Sequence, residues 1–314
     1  MANQTAVREF VFLGFSHFPE PHALFFVLFL TMYVTTLFGN GLILATAFLD
    51  SSFHTPMYYF IRHLSFLDMC YTSVTLPHVL KNLLAESKTI SFQGCLVQLY
   101  FLVAFVGVEC LLLAVMAYDR YVAICHPLTY TLLMNRTLCA QLVGASWACG
   151  LLNSVLHTAM TSLVPFCASH NLDHVFCDVP QLLKLSCVDT FLNQITLLAV
   201  TLLLGASPFF CILVSYVHIA AAVLRIRTSQ GRRKAFSTCA SHLTVVTLFY
   251  TTCMFNYNRP SSSHPAYLDT LASVLYNVVT PMLNPIIYCL RNKEMKEALK
   301  RAFRPKQSLS LWLQ

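Results

Sequence analysis

Seven long apolar stretches follow one another along the chain, separated by short polar connections. They cover residues 23–49, 57–80, 96–119, 139–163, 194–224, 236–257 and 267–290. Each is long enough for a membrane-spanning helix, which needs about 20 apolar residues. A helix pairs all its own backbone groups, whereas a membrane barrel would show shorter segments of alternating polarity. The pattern therefore predicts an all-α membrane protein, built as a bundle of seven transmembrane helices.

The two ends of the chain differ from the apolar stretches and divide it into three parts. Residues 1–22 are predicted to form an N-terminal segment, 23–290 the seven-helix domain, and 291–314 a tail. In the tail, apolar residues recur at helical spacing opposite basic ones: Met295, Leu299, Ala302 and Phe303 against Lys293, Lys296, Lys300 and Arg301. This periodicity predicts a short amphipathic helix lying on anionic membrane lipid.

The composition fits a membrane protein and excludes several other classes. Hydrophobic residues make up 57% of the 314-residue chain, and charged residues only 11%. A soluble domain is about one-quarter charged, because it has to cover its surface with polar groups. A soluble enzyme, a disordered regulator and a nucleic-acid-binding domain are therefore excluded, and no nucleic-acid partner is expected.

The basic residues predict the orientation of the bundle. Fourteen of the 20 Lys and Arg residues lie in connections after the odd-numbered spans, and five lie on the opposite side. Because cytoplasmic loops are enriched in Lys and Arg, the N-terminus is expected outside and the C-terminus inside. Asn3, in the sequon Asn3-Gln4-Thr5, is then a candidate glycosylation site on the outside.

The 13 cysteines separate by their position relative to the spans. Four of them are expected on the outside: Cys95, Cys167, Cys177 and Cys187. An oxidising compartment favours disulfides between them, and four cysteines can pair in three ways. The loop cysteines could instead bind a metal with His170 and His174, although their wide spacing and location favour disulfides. The other nine lie in spans or near their inner ends, as small buried apolar residues.

Four sequence strings, taken in order, resemble those of one receptor family. They are residues 53–60 (FHTPMYYF), 116–125 (MAYDRYVAIC), 234–243 (KAFSTCASHL) and 281–288 (PMLNPIIY). The chain resembles an odorant (olfactory) receptor of the rhodopsin-like (class A) G-protein-coupled family, of the tetrapod-type branch. The resemblance covers nearly the whole chain. One departure stands in span six, where members usually read Phe-Tyr-Gly and this chain reads Phe249-Tyr250-Thr251. The β-branched Thr251 is expected near the ligand pocket.

The resemblance implies a receptor and not an enzyme, without a cofactor except for sodium as a modulating ion. Such a receptor binds a small volatile odorant and activates a stimulatory, olfactory-type heterotrimeric G protein, which raises cyclic AMP. It is expected in the plasma membrane with its N-terminus extracellular, and it would reach the surface with receptor-trafficking accessory proteins. Chemosensing outside the nose is an alternative that the sequence does not separate from olfaction.

The resemblance also implies a switch at the inner half of the bundle. Arg120 would be held by Asp119 at rest and released to engage the G protein, and tyrosines of spans five and seven would swing toward it. The G-protein coupling and switch residues are Asp119, Arg120, Tyr121, Tyr216, Asn284, Pro285 and Tyr288. Pro208 and Pro285 predict helix kinks, since proline removes a backbone hydrogen bond. A plain interfacial ion pair and static aromatic packing are the alternatives.

Asp68 and Glu109 put two carboxylates in the middle of spans two and three. Such groups are costly in a membrane and need a proton, a cation or hydrogen-bond donors. In the similar family they converge with Asn40 and Asn284 on a sodium-sized pocket, where sodium would favour the resting state. The alternatives are a protonated pair that only joins helices, and the ion path of a small transporter or channel. Internal repeats typical of transporters are not found in the sequence.

The ligand site is predicted from what the spans lack as well as from what they carry. The outer half of span three has no Asp to pair with an amine, and span seven has no Lys to form a Schiff base. A mostly apolar pocket with a few hydroxyls fits a small, neutral, volatile molecule. From helical spacing and the resemblance, the pocket residues are Leu102, Val103, Val106, Val200, Thr201, Leu204, Tyr250, Cys253, Met254, Tyr257, Val274 and Asn277. Plain helix packing is the alternative for each.

The resemblance also implies which outer cysteines pair. Similar receptors join Cys95 to Cys177, which ties the outer loop to span three, and Cys167 to Cys187 within the loop. The loop of residues 164–193 is then expected to cover the ligand pocket.

Overall fold

The computed structural model of the chain describes residues 7–14, 22–49, 55–166, 170–257 and 266–290. Its helices, in chain order, are α1 (His22–Leu49), α2 (Pro56–Leu84), α3 (Phe92–Cys125), α4 (Tyr130–Leu133), α5 (Arg136–Ser162), α6 (Val179–Leu183), α7 (Phe191–Val200), α8 (Ser207–Leu224), α9 (Ser229–Tyr257), α10 (Ala266–Val274) and α11 (Thr280–Leu290). One π-helical turn, Thr201–Ala206, joins α7 to α8, and a second, Leu275–Val279, joins α10 to α11.

The seven predicted spans correspond to α1, α2, α3, α5, α7–α8, α9 and α10–α11. The prediction of a seven-helix membrane bundle is confirmed, and several of the helices extend beyond the apolar stretches. Five of them are long and apolar enough to cross a membrane, and α9 holds a shorter apolar run, Cys239–Met254. Helix α2 is more polar because it carries Arg62, His63 and Asp68. The amphipathic tail helix and the glycosylation site at Asn3 lie outside the described residues and stay predictions, as does the division of the chain into three parts.

Helix α3 runs through the core of the bundle and packs against α2, α5, α8 and α9. Ser91 begins the helix by accepting a hydrogen bond from the Gly94 N–H at 3.1 Å, which satisfies a backbone donor of the first turn. Leu99, Leu112 and Met116 are fully buried along its length. We call the end of the bundle at Cys95 the disulfide end, and the end at Arg120 the Arg120 end.

Helices α3 and α5 cross at two glycines. A Cβ placed on Gly107 would lie 3.3 Å from the Cα of Gly150, and one placed on Gly150 would lie 2.7 Å from the Ala104 carbonyl oxygen. Small residues let two helix backbones approach closely in a membrane protein. The glycine pair therefore sets the distance between the central helix and α5.

A three-stranded sheet at the disulfide end was not predicted from the sequence. Its strands are β1 (Glu9–Phe12), β2 (Thr89–Ser91) and β3 (Asn171–Leu172), in the order β2-β1-β3. Strand β1 is antiparallel to β2 and parallel to β3. Phe10 and Phe12 are buried, so part of the predicted N-terminal segment packs onto the loops that close the bundle.

Both π-helical turns precede a proline in the next helical segment, Pro208 in α8 and Pro281 in α11. Since proline has no N–H to donate, a wider turn lets the neighbouring backbone groups find other partners. One of these turns precedes Pro208, and the helix kinks predicted at Pro208 and Pro285 stay predictions. The carbonyl oxygen of Pro281 accepts a hydrogen bond from Asn40 Nδ2 at 3.2 Å, which joins α1 to α11.

Candidate functional site

A cavity of about 70 Å³ lies between α3, α5 and the α7–α8 helix. A concave and mostly apolar surface with a few polar groups is typical of a small-molecule site. The lining residues are Val103, Val106, Gly107, Cys110, Asn153, His157, Val179, Leu197, Val200, Thr201, Leu204, Gly205 and Cys253.

Half of the pocket residues predicted from the sequence line this cavity. They are Val103, Val106, Val200, Thr201, Leu204 and Cys253. Those on α3 lie one turn apart and share a face, as helical spacing predicts. The π-helical turn contributes Thr201, Leu204 and Gly205, which lie three and four residues apart and so share one side of the helix.

Tyr250, one of the predicted pocket residues, does not line the cavity. It is buried, and its hydroxyl donates to the backbone carbonyl of Cys110 at 3.2 Å. Its ring packs against Phe209 with 4.9 Å between centroids. Tyr250 therefore joins α9 to α3 and α8 beside the cavity rather than forming its wall.

The remaining predicted pocket residues lie elsewhere or outside the described part. Those that do not line the cavity are Leu102, Met254, Val274 and Asn277. Leu102 is buried in the core, and Asn277 is buried in the second π-helical turn. The side chain of Tyr257 is not among those described.

Asn153 and His157 line the cavity from α5 and were missed from the sequence. They stand four residues apart, so they lie on one face of the helix. His157 is only 3% exposed, and both its Nε2 and the Oδ1 of Asn153 lack a hydrogen-bond partner among the described residues. Two polar residues at this spacing within an apolar span were the available signal.

Thr251 does not stand near the cavity, contrary to the expectation from the family departure. Its side chain is exposed, and its hydroxyl donates to the Thr247 carbonyl one turn back at 2.6 Å. The position after Tyr250 faces away from the bundle because consecutive helix residues point about 100° apart. The departure from the family pattern therefore leaves the cavity wall unchanged.

A disulfide joins Cys95 at the start of α3 to Cys177, with 5.5 Å between the Cα atoms. This pairing, implied by the resemblance, is confirmed. The Gln98 side chain accepts a hydrogen bond from the Cys177 N–H at 2.9 Å, which holds the same loop a second time. Cys187 is also disulfide-bonded, and Cys167 lies outside the described residues.

The loop is further tied to α10 through His174. Its Nε2 is 2.9 Å from the Ser273 hydroxyl, and its Nδ1 contacts the backbone of Phe176. Across the described residues, no group of three or more His, Cys, Asp or Glu side chains could hold a metal ion. The disulfide, Gln98 and His174 therefore hold this loop against α3 and α10, and its role as a cover of the pocket stays a prediction.

Asp68 and Glu109 are both buried, at 1% and 2% exposure. Asn284 Nδ2 donates to both carboxylate oxygens of Asp68, at 2.9 and 3.2 Å, which links α2 to α11. Glu109 is an electrostatic neighbour of Asp68, and its Oε1 has no hydrogen-bond partner in the described part of the chain. The two carboxylates therefore come together, with only one of them satisfied by side-chain donors.

The Arg120 end carries several side-chain hydrogen bonds. Arg120 donates to Asp119 Oδ2 at 3.0 Å, and the Tyr130 hydroxyl donates to Asp119 Oδ1 at 2.8 Å. Burial and the adjacent Asp119 carboxylate raise the pKa of Tyr130, so its hydroxyl stays a donor. Tyr121 contacts His126 Nε2 at 3.1 Å through its own hydroxyl. Tyr130 was not predicted, because nothing near it in the sequence marks it as the partner of a buried carboxylate.

The predicted tyrosine switches surround Arg120 without hydrogen bonds to it. Tyr216 pairs with His242 Nδ1 at 2.7 Å, and the two rings stack with centroids 5.7 Å apart. Tyr288 is buried, and its hydroxyl has no hydrogen-bond partner among the described residues. Pro285 contacts α1, since a Cβ on Gly39 would lie 2.9 Å from its ring. The contact between Tyr216 and His242 packs α8 against α9 beside Arg120.

Known proteins with similar sequences fall in one family. A family model described as "Olfactory receptor" matches residues 29–306. "Olfactory receptor 1F1" of Homo sapiens is 52% identical over 299 residues, which is 95% of this chain and 96% of that protein. "Olfactory receptor 1f45" of Rattus norvegicus is also 52% identical, with the same coverage, and "Olfactory receptor 7A10" of Homo sapiens is 49% identical over 97% of this chain and 99% of its own length. The chain therefore belongs to the olfactory receptor family, a family of multi-pass G-protein-coupled receptors and not of enzymes.

Proposed function

We propose that this receptor binds small, mostly apolar volatile molecules in the α3–α5–α7 cavity and activates a stimulatory heterotrimeric G protein, which raises cyclic AMP. The observation that carries the proposal is that one helix, α3, lines the cavity with Val103 and Val106 and also bears the Asp119–Arg120 pair. A ligand that displaces α3 or its neighbours would therefore also change the position of the Asp119–Arg120 pair.

The ligand class is supported by the cavity wall. Its residues are mostly aliphatic, and within the described part of the chain no Asp, Glu, Lys or Arg side chain lines it. A charged ligand would lose its hydration without gaining an ion pair. A neutral molecule with few polar atoms binds by apolar contact, and its small size limits the affinity to the micromolar range.

The Arg120 end supports a resting state that a ligand would have to open. Asp119 pairs with Arg120 and is itself held by the Tyr130 hydroxyl, and Tyr216 with His242 packs α8 against α9. A G protein needs access to this end. An odorant activates the receptor only if it binds the open arrangement more tightly than the closed one, and not by binding alone.

The proposed orientation is supported by the disulfide and by the basic residues. The Cys95–Cys177 bond is stable in an oxidising compartment, which supports an extracellular disulfide end and a cytoplasmic Arg120 end in the plasma membrane. The excess of Lys and Arg at the Arg120 end supports the same orientation. Receptor-trafficking proteins and anionic lipid are proposed as further partners, and the organ of expression decides whether the receptor serves olfaction.

Replacing Arg120 with alanine is expected to remove the odorant-dependent rise in cyclic AMP. The guanidinium group is the charged group that Asp119 holds at this end, and without it the G protein loses its contact. The measurement is cyclic AMP in cells that express the chain with trafficking helpers, screened against a volatile library at matched surface levels. Arg136→Ala, at an exposed position at the start of α5, is the control and should respond like the wild type.

Recording membrane current beside cyclic AMP in the same screen distinguishes a receptor from an ion channel. A ligand-gated current that persists in Arg120→Ala would overturn the receptor mechanism and favour an ion path through Asp68 and Glu109. A cyclic AMP response that is equal in Arg120→Ala and the wild type would contradict the proposed role of this residue.

We propose further that sodium binds beside Asp68 and Glu109 and favours the resting state. Three side-chain oxygens in this region have no hydrogen-bond partner in the described structure: Glu109 Oε1, Asn284 Oδ1 and Asn40 Oδ1. Carboxylate and amide oxygens are the ligands that hard cations prefer. A cation would also offset the repulsion between the two carboxylates, so these residues fit the ion.

Replacing sodium by choline at constant ionic strength is expected to raise the odorant potency several-fold. Removing an ion that binds the resting state shifts the population toward the active one. Glu109→Gln should respond equally in both buffers, because it removes the charge that the ion offsets. A sodium dependence of equal size in Glu109→Gln and the wild type would overturn the proposed site.

A further inference from the structure

One face of α5 presents two unsatisfied polar side chains at the cavity. Asn153 and His157 both line it, four residues apart on the helix. Asn153 Oδ1 and His157 Nε2 have no hydrogen-bond partner among the described residues, and His157 is only 3% exposed. Buried polar atoms nearly always have a hydrogen-bond partner. Two such atoms without a partner beside a cavity therefore point to a group that enters the cavity.

The packing of α5 against α3 explains why, among the described residues, no α3 side chain pairs with Asn153 Oδ1. The Gly107–Gly150 crossing brings α3 against α5, and a Cβ on Gly107 would lie 3.8 Å from Asn153 Nδ2. No polar side chain of α3 can therefore stand opposite Asn153 at this level. Ser154, the neighbouring residue, instead donates to the Tyr100 carbonyl and faces a different side of the helix.

The two side chains define the chemistry of the group that they can hold. The Oδ1 atom of Asn153 only accepts, so its partner has to donate a hydrogen. A neutral imidazole can donate from one ring nitrogen and accept at the other. Residues four apart on a helix have Cβ atoms about 6 Å apart, so one small group can contact both. A hydroxyl matches this pair, because it donates one hydrogen bond and accepts another.

We propose that the cavity selects small apolar alcohols, and that Asn153 and His157 bind the ligand hydroxyl. This inference rests on the proposed function and narrows its ligand class. The aliphatic wall formed by Val106, Val200 and Leu204 would surround the hydrocarbon part. An aldehyde, ester or ether of the same carbon skeleton has no hydrogen to donate and would leave Asn153 Oδ1 unpaired on binding. A site built for a hydroxyl discriminates strongly against such analogues.

The test compares matched ligands on the full receptor in cells. The panel contains straight-chain alcohols of five to nine carbons and benzylic alcohols of seven to nine, each with its aldehyde and its methyl ether, and the readout is cyclic AMP. We expect each active alcohol to be at least tenfold more potent than its aldehyde and ether. Equal or greater potency of the aldehydes or ethers would overturn the inference. A receptor that responds to other volatiles through Arg120, but not to alcohols, would also overturn the inference. That result would leave the proposed function intact.

Variants of the two residues separate a ligand contact from a structural role. Asn153→Leu and His157→Leu should each lower the potency of the alcohol at least tenfold and leave that of the ether unchanged, so that the alcohol-to-ether ratio falls. His157→Gln should restore part of the ratio, because an amide can still form a hydrogen bond. Leu156→Ala, at an exposed position of the same helix, is the control. An equal loss for alcohol and ether, at matched surface levels, would show a structural role and overturn the inference. A displayed wild-type chain that answers no compound counts against both the inference and the proposed function.

Discussion

Replacing Gly150 with alanine is expected to remove most of the folded receptor from the cell surface. The added Cβ would lie 2.5 Å from the Val108 side chain, 2.7 Å from the Ala104 carbonyl oxygen and 3.0 Å from the Val108 backbone nitrogen. The last two atoms belong to the backbone of α3 and cannot rotate away, so the helices have to separate. Overpacking of this kind costs about 1–3 kcal/mol. Such a loss lowers the amount of a protein in cells several-fold. The measurement is surface staining by flow cytometry against total receptor.

Gly144→Ala is the matched control, because Gly144 lies on the same helix and a Cβ there would meet nothing within 4 Å. Alanine favours a helix over glycine by about 1 kcal/mol, so this variant should reach the surface as well as the wild type or better. A wild-type surface level in Gly150→Ala would show that α3 and α5 do not touch at this crossing. The cavity wall that Asn153 and His157 form on α5 would then also need revision.

The seven helices could be predicted from the sequence because each is encoded locally. An apolar run of the right length has to form a helix in a membrane, whatever its neighbours are. Strand β1 shows the opposite case. Its four residues, Glu9–Phe12, pair with residues 89–91 and 171–172, which are far away along the chain. Short strands with distant partners carry no local signal, so the sheet appears only once the bundle has brought the loops together.

The sequence predicted only part of the cavity wall, and the reason is related to that for the sheet. Helical spacing correctly grouped Val103 with Val106 on α3, but spacing within one helix does not show which other helix faces that group. Span six contributes Cys253 to the cavity, and α5 adds a wall that was not predicted, because the glycine crossing brings α5 close to α3. Tyr250 has the chemistry of a ligand contact, yet its hydroxyl is engaged by the Cys110 carbonyl. A side chain's partner is a property of the packed bundle and not of its own segment.

The polar pairs differ in how far the sequence could identify them. Asp119 and Arg120 are adjacent, so a short motif identifies both and the ion pair between them. Asn284 and Asp68 are 216 residues apart, and only the family resemblance predicted that they lie close together. Tyr130 completes the Asp119 site from the connection after α3, where no sequence pattern marks it as the partner of a buried carboxylate.

Replacing Gly205 with phenylalanine is expected to abolish the odorant response while the receptor still reaches the surface. Gly205 lines the cavity from the π-helical turn, and a Cβ there would meet a single neighbour within 4 Å, the Thr201 methyl group, at the ordinary contact distance of 3.8 Å. A side chain can therefore be added without displacing a helix, and it would occupy the space that a ligand needs. A single misfitted group in an apolar pocket costs roughly 10- to 200-fold in recognition. A phenyl ring, which is comparable in size with an odorant, should exceed that range. The measurement is the cyclic AMP dose–response curve at matched surface levels.

Gly144→Phe provides the control for Gly205→Phe, since it adds the same ring at an exposed position of α5 and should respond like the wild type. Gly205→Ala adds only a methyl group and should lower the potency by an intermediate amount, so a graded series of Gly, Ala and Phe would tie the loss to the volume filled. An unchanged dose–response curve for Gly205→Phe would mean that odorants bind elsewhere in the bundle, because a ligand and a phenyl ring cannot share this cavity. A loss of surface receptor in Gly205→Phe, with a normal level in Gly144→Phe, would mean instead that the π-helical turn has no open side and that the packing around Gly205 is tighter than described.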